Sequence, residues 1–365
     1  VGYPGYRLDE SKKSEIGVGM PESINTGDPA VIGRAEPCEL SSRRREQLLE
    51  FHPLLERGYT LPTPMLERTY RIAREKVWTR RTGVVFYATP RMGKTTCAKE
   101  IQNLLNSEFP RTYTLLLSAR RSKQSSEYHM YSLILEAKKH ILSSRTKVGF
   151  LLENIKTDTI LKLSKIGGSQ FVLIVDEAQL LSDTDLEQLF VLHNALDLMK
   201  IKMTTIFFAQ PQIMHRRAAL LVSGQHQIIA RFLSEPIAFE GCSSMIELQL
   251  LLKAYDEQSE YPEGSGWSYT RFFLPEAFAK GFRLHRYASK LWEALAAAAG
   301  PLGLGMVPME HVCLSIEYLL LASKKEDCSN FSISDSDIAI AVESSNLASF
   351  SALLQSPSKE GGWEQ

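Results

Sequence analysis

Residues 83–96 read GVVFYATPRMGKTT and residues 170–179 read QFVLIVDEAQ. The first stretch is a short apolar run, a Pro- and Gly-containing loop and the opening of a helix, so it predicts strand, turn and helix in succession. Within it, ATPRMGKTT follows the phosphate-loop pattern G-x-x-x-x-G-K-[ST], with Ala88 at the first glycine position. Gly93 can take a backbone path closed to bulkier residues. Pro90, Arg91, Met92, Gly93, Lys94, Thr95 and Thr96 are therefore the expected nucleotide-binding set. Loop amides and the helix N-terminus would surround the phosphates, with Lys94 reaching the β- and γ-phosphates. Thr95 is expected to offer its hydroxyl to Mg²⁺.

The second stretch has the unbroken apolar character of a strand buried on both faces. Asp176 ends that run, which places it at the C-terminal edge of the sheet, where open α/β sheets bind their ligands. Asp176 is expected to join Thr95 in the metal shell. Glu177, its neighbour, is the expected base for an attacking water. The strand TTIFFAQ delivers Gln210 to the same edge, as a group able to sense the γ-phosphate or hold water. An arginine supplied to a neighbouring subunit's nucleotide is sought in Arg231, just before the last strand, with Arg216 second. Arg283 and Arg286, three residues apart near the start of a helix, are expected to share a face and report nucleotide state.

Around these motifs, strands at 83–88, 112–119, 170–176 and 204–210 alternate with helical patterns, and EPIAFE is a weaker terminal strand. The arrangement predicts an α/β fold with a mostly parallel sheet. From about residue 242 the chain turns all-helical, in MIELQLLLKAYDEQ, FRLHRYASKLWEALAAAA, MEHVCLSIEYLLLAS and SDSDIAIAVESSNLASF. The expected organisation is an N-terminal arm and peripheral segment at 1–59, an α/β nucleotide-binding core at 60–241, a small helical lid at 242–350 and a flexible tail at 351–365.

The chain has 365 residues, with 42 Lys or Arg against 42 Asp or Glu. Its length supports a sizeable core, and 44% hydrophobic residues argue against wholesale disorder. No stretch of about 18 residues is apolar enough to span a membrane, and the first residues do not form a secretory signal. The five cysteines contain no C-x-x-C pair, so a reducing cytoplasm is the expected setting. The zero net charge conceals an asymmetry: residues 66–147 hold 17 Lys or Arg and 6 Asp or Glu. Such a segment is a candidate basic face, because encounter with DNA depends on the local field.

Taken together, ATPRMGKTT, LIVDEAQ, FFAQPQ, ARF before the last strand, and FRLHRYASKLWEAL in the helical region resemble the AAA+ ATPases. More narrowly, they resemble the TnsC/TniB regulators of transposons that use DDE transposases, over roughly residues 60–325. The resemblance implies ATP and Mg²⁺ as cofactors and hydrolysis of ATP to ADP and phosphate. It also implies a bacterial cytoplasmic homo-oligomer, ring or filament, that encloses duplex DNA. The implied partners are a DDE transposase and a TniQ-type target-selection protein, with no membrane. It assigns Lys94 and Thr95 to phosphate and metal, Asp176 and Glu177 to the catalytic acidic pair, Gln210 to the first sensor and Arg231 to the trans-acting arginine.

The segment SARRSKQSSEYHMYS after the second strand sets Arg120, Arg121 and Lys123 among short polar residues. These three are the expected DNA contacts, to phosphate oxygens rather than base edges. Lys138, Lys139, Arg145 and Lys147 would extend the charge. Two other readings fit the same motifs: a helicase-loader-like DNA-processing ATPase, and a nucleotide-gated adaptor in which hydrolysis is weak.

Overall fold

Five short strands form one parallel sheet in the order β2-β3-β4-β1-β5. They are β1 (Gly83–Tyr87), β2 (Thr112–Ser118), β3 (Gln170–Asp176), β4 (Lys202–Ala209) and β5 (Pro236–Ala238). The computed structural model describes residues 40–122, 126, 128–139, 148–300 and 305–355. Arg145 and Lys147 lie outside them, as does Lys123.

Why the sheet is sandwiched follows from alternation along the strands, since successive side chains point to opposite faces. Val85, Leu115, Leu117, Phe171, Leu173, Val175 and Phe207 pack on one face, against helices His129–Ala137, Val148–Lys165, Asp183–Leu198 and Gln212–Val222. Val84, Phe86, Val172, Ile174, Ile206 and Phe208 pack on the other, against Pro64–Trp78 and Lys94–Glu108. Every residue of β3 is buried, as expected for the strand second from the edge of a sheet covered on both sides. Several helices start where short polar side chains cap them: Thr63 accepts from the Leu66 amide, and Ser182 with Asp185 forms a capping box.

A second core is built mainly from helices. Leu248, Leu252, Phe273, Leu284, Leu295, Ile316, Leu320, Ile338 and Leu347 are among its fully buried members. Leu54 and Leu61 belong to it too. Helices Ser42–Leu49 and Pro53–Glu56, in the segment expected to be a peripheral arm, are thus docked on the helical region. His52 sits between them with no exposure, its ring 4.6–4.9 Å from those of Tyr261, Tyr269, Phe272 and Phe273. Arg45 donates to the Phe272 carbonyl, and the Tyr261 hydroxyl donates to that of Leu48. Trp267 is buried as well, with Arg271 over its ring at 4.5 Å, and so serves packing rather than an exposed docking face.

The fold also redistributes charge. Lys76 pairs with Glu235 at 2.7 Å, Arg91 with Glu310 at 3.2 Å and Arg68 with Glu240 at 3.8 Å. Each pair joins the basic segment to an acid from the later part of the chain. Lys138, expected to extend the basic face, is instead buried, 2.9 Å from Asp158 and bonded to the Thr159 hydroxyl. Burial pulls its pKa down to about 8, against the opposing pull of Asp158. Among the described residues no helix is long and apolar enough to cross a membrane.

His52 makes the docked N-terminal helices acid-sensitive. Its Nδ1 accepts from the Leu54 amide at 3.1 Å, which requires a neutral ring, and burial lowers its pKa from 6.5 to about 3. The unfolded chain therefore takes up the proton first as pH falls. The stabilisation is complete above about pH 6.5 and is lost progressively toward pH 3, reaching about 2 kcal/mol at pH 5. Urea unfolding followed from pH 7.5 to 5 is expected to show this fall, with a shallower slope in His52→Phe. Equal slopes in the two proteins would remove His52 as the source.

Candidate nucleotide site

The loop between β1 and the helix Lys94–Glu108 is shaped by two left-handed residues, Arg91 (φ 68°) and Gly93 (φ 96°). Gly93 is required by that conformation. Ala88 is not left-handed; its amide continues the sheet by donating to the Ala209 carbonyl at 3.1 Å. A Cβ is therefore accommodated at the position where the motif has its first glycine. Lys94 is buried at 5% exposure, and its ammonium donates to the carbonyls of Ala88 and Thr89 at 2.9 and 2.8 Å. Burial lowers its pKa, while Glu177 and then Asp176 oppose the shift. A desolvated cation at the N-terminus of a helix, beside a loop of backbone amides, is an arrangement suited to anionic phosphate.

Parallel pairing brings the acidic pair to this loop. Ser118 lies opposite Asp176, and Val175 opposite Phe207, so β2, β3 and β4 end together. Asp176 accepts the Thr95 hydroxyl at 2.6 Å through Oδ2 and the Glu177 amide at 3.0 Å through Oδ1. Glu177 is left-handed (φ 55°), a turn that re-aims its side chain so that it lines the same cleft as the phosphate loop. Gln210, from the end of β4, donates to Glu177 Oε2 at 3.1 Å. Lys94, Thr95, Asp176, Glu177 and Gln210 are thus brought together from the ends of two strands and the start of one helix.

The cleft has a volume of about 450 Å³ and is also lined by Pro90, Arg91, Met92, Gly93 and Thr96. Its far wall comes from the helical region. The helix Met309–Ser323 presents Met309, Glu310, Cys313 and Glu317, and the Glu310 amide donates to the Arg91 carbonyl at 3.1 Å. Tyr59 donates to Glu317 at 2.9 Å and lies 2.5 Å from the Tyr255 hydroxyl. Burial raises the pKa of both Glu317 and Tyr59. Gly241 marks the passage from sheet to helices: a Cβ there would meet the Val307 carbonyl oxygen at 2.3 Å. No local pattern announces Tyr59, Glu310 or Glu317, because only the packing of distant segments places them here. Gln179 had a signal, its place two residues after the acidic pair.

Thr95 and Asp176 offer hard oxygen donors side by side, which fits Mg²⁺, a cation that takes one or two carboxylates and completes its shell with substrate phosphates and water. Among the described residues no group of three or more His, Cys, Asp or Glu forms a separate metal site.

Four arginines lie elsewhere. Arg283 donates to the carbonyls of Phe278 and Phe282 at 2.9 and 2.6 Å and stacks on the Phe278 ring. Arg286 is exposed on a 3-10 turn, Leu284–Tyr287. They do not share an α-helical face and do not line the cleft. The physical reason is Asp256, buried, which accepts the Leu284 and His285 amides and pairs with the His285 ring, holding the chain in a tight turn. The α-helix begins only at Ala288. Arg231 lies over the Phe190 ring at 4.2 Å, and its carbonyl oxygen would lie 2.7 Å from a Cβ on Gly83, at the start of β1 and so at the opposite end of the sheet from the phosphates. Arg216 faces Asp183 at 3.6 Å. Arg120 and Arg121 emerge at the nucleotide edge, exposed; Arg120 is bonded twice to Glu136, at 2.7 and 2.8 Å.

A parallel five-stranded sheet, a phosphate loop and an acidic pair at its C-terminal edge define an AAA+ ATPase core. Residues 79–216 match the family model described as AAA domain. No curated protein matches the chain. Among solved structures, the fold is similar to that of the Aeropyrum pernix ORC2 protein in ADPNP–ADP complexes, with a TM-score of 0.55 and 12% identity over 80% of this chain and 71% of that one. The ADP form of the same protein gives 0.52 and 14%, over the same shares. Cdc6p from Pyrobaculum aerophilum gives 0.50 and 11%, over 74% of this chain and 66% of that one. At these identities the likeness is one of fold.

Two substitutions separate binding from chemistry here. Lys94→Ala is expected to abolish binding of a fluorescent ATP analogue. Glu177→Gln is expected to keep that binding while turnover falls about a hundredfold or more. Undiminished hydrolysis in Glu177→Gln would exclude it as the base.

Proposed function

We propose that the protein is a DNA-processing ATPase of the initiator or helicase-loader type, whose ATP-bound form assembles into an oligomer on duplex DNA. The observation that carries this reading is the shared edge: the Ala119 amide donates to the Asp176 carbonyl at 2.8 Å, so Arg120 and Arg121 leave the sheet beside the acidic pair. A basic segment anchored there can bind phosphate backbone and feel the nucleotide through the same strand ends. Fold likeness to ORC2 and Cdc6p supports this reading over other P-loop classes. DNA contact is assigned to the segment holding Arg120, Arg121 and Lys123, without base readout.

In hydrolysis, Lys94 and the loop amides hold the phosphates, and Thr95 with Asp176 would hold Mg²⁺, which neutralises phosphate charge when bound. Water adds to the γ-phosphorus, its proton passes to Glu177, and the bond to the β,γ-bridging oxygen breaks to give ADP and phosphate. Gln210 orients Glu177. Arg216, on the helix that follows β4, is a better placed candidate than Arg231 for contact with a neighbour's nucleotide, because it lies toward the phosphate end of the sheet.

A second reading, a transposition regulator working with a DDE transposase and a TniQ-type protein, is favoured by the joint occurrence of ATPRMGKTT, LIVDEAQ, FFAQPQ and ARF. Co-purification with a replicative helicase or with a transposase separates the two.

Imaging with duplex DNA and a slowly hydrolysed ATP analogue is expected to show a closed or helical oligomer with residues 120–123 toward the duplex. A monomer beside free DNA would refute assembly. In salt titrations Arg121→Ala is expected to weaken binding irrespective of sequence and to reduce the slope of log affinity against log salt by about 1. An unchanged slope would move the DNA contact elsewhere.

A further inference from the structure

Glu177 is held by more than Gln210. Gln179, two residues on in the 3-10 turn Ala178–Leu180, donates from Nε2 to Glu177 Oε2 at 2.5 Å. Its Oε1 accepts from the Gln210 backbone amide at 2.9 Å. That second bond settles which way the Gln179 amide faces, because a backbone N–H can only donate. The amide oxygen must point to β4, so the amide nitrogen must point to Glu177. One side chain thereby bridges the ends of β3 and β4. Both Gln179 and Gln210 donate to the same carboxylate oxygen, Oε2. Among the described residues Oε1 has no hydrogen-bond partner, while Glu177 lines the cleft.

We propose that Gln179 is a positioning residue for hydrolysis: its amide locks Glu177 Oε2 to the end of β4 and presents Oε1 to the attacking water. The inference rests on the catalytic role of Glu177. Without the clamp, the side chain of Glu177, carried on a left-handed residue, regains rotamer freedom, and the fraction of time spent in the reactive orientation falls. Gln179 does not line the cleft, and its hydrogen bonds go to Glu177 and Gln210 rather than to the phosphate loop or the metal-binding pair, so its loss acts on turnover and leaves nucleotide affinity alone. A carboxylate in its place has a different effect. It removes the donor and sets a second negative charge against Glu177 Oε2, so it repels the carboxylate from the clamped orientation rather than merely releasing it.

The test compares steady-state ATP hydrolysis by the full chain with duplex DNA present, for wild type, Gln179→Ala, Gln179→Glu and Glu177→Gln. Gln179→Ala is expected to lower kcat about tenfold or more, with KM and affinity for a slowly hydrolysed analogue unchanged. Gln179→Glu is expected to lower kcat further than Gln179→Ala with KM unchanged, an ordering confined to kcat that a merely structural role would not produce. A kcat for Gln179→Ala within about twofold of wild type, or parallel losses of kcat and nucleotide affinity, would overturn the proposal. If Glu177→Gln turns over like wild type, the catalytic assignment of Glu177 fails and takes Gln179 with it. If Glu177→Gln is inactive while both Gln179 variants match wild type, only the clamp fails.

Discussion

The hydrogen bond from the Thr95 hydroxyl to Asp176, 2.6 Å long, ties the helix that follows β1 to the end of β3. These strands are not neighbours: β4 lies between them, so the bond spans the switch in strand order where ligands of open α/β sheets bind. It constrains much else. It sets Thr95 and Asp176 as adjacent oxygen donors beside Lys94, whose desolvation Glu177 and Asp176 temper, and Glu177 lines the same cleft. The strand ends must be level for this to work, and the registers of β2, β3 and β4 make them so.

The helical region completes the cleft rather than merely sitting beside it. Arg91 is joined to Glu310 by an ion pair and by a backbone hydrogen bond, and its guanidinium lies 5.1 Å from the Phe350 ring. A phosphate loop so connected to two C-terminal helices has a direct path by which changes at the nucleotide can reach the rest of the chain. The helices at 42–56 pack on the same region through Leu54 and His52. The wall opposite the phosphates is therefore assembled from the two ends of the described chain.

Most of the sheet was legible because buried parallel strands are short apolar runs bounded by turn residues, and QFVLIVD and GVVFY are clear instances. Helices with strong apolar spacing, such as Pro64–Trp78 and Asp183–Leu198, were legible for the same reason. Lys94, Thr95, Asp176, Glu177 and Gln210 were legible because their local context already defined where they point. Arg283 and Arg286 misled because a buried carboxylate from another helix, Asp256, converts the expected helix start into a tight turn. Arg231 carries the right spacing but is drawn over Phe190, a contact that exists only after packing.

The sequence by itself determined where the phosphate loop and the acidic pair lie on the sheet, since both depend on residues adjacent in the chain and on strand periodicity. What faces them was decided only by tertiary structure. Tyr59, Glu310 and Glu317 reach the cleft from segments some 250 residues apart, and the Gln179 clamp needs the ends of two strands side by side. The charge asymmetry shows the same division: a basic stretch is plain in the chain, yet Lys76, Arg91 and Arg68 meet their acids in the fold, and Lys138 is buried. Local pattern specifies backbone conformation; which charges remain exposed depends on what packs against them.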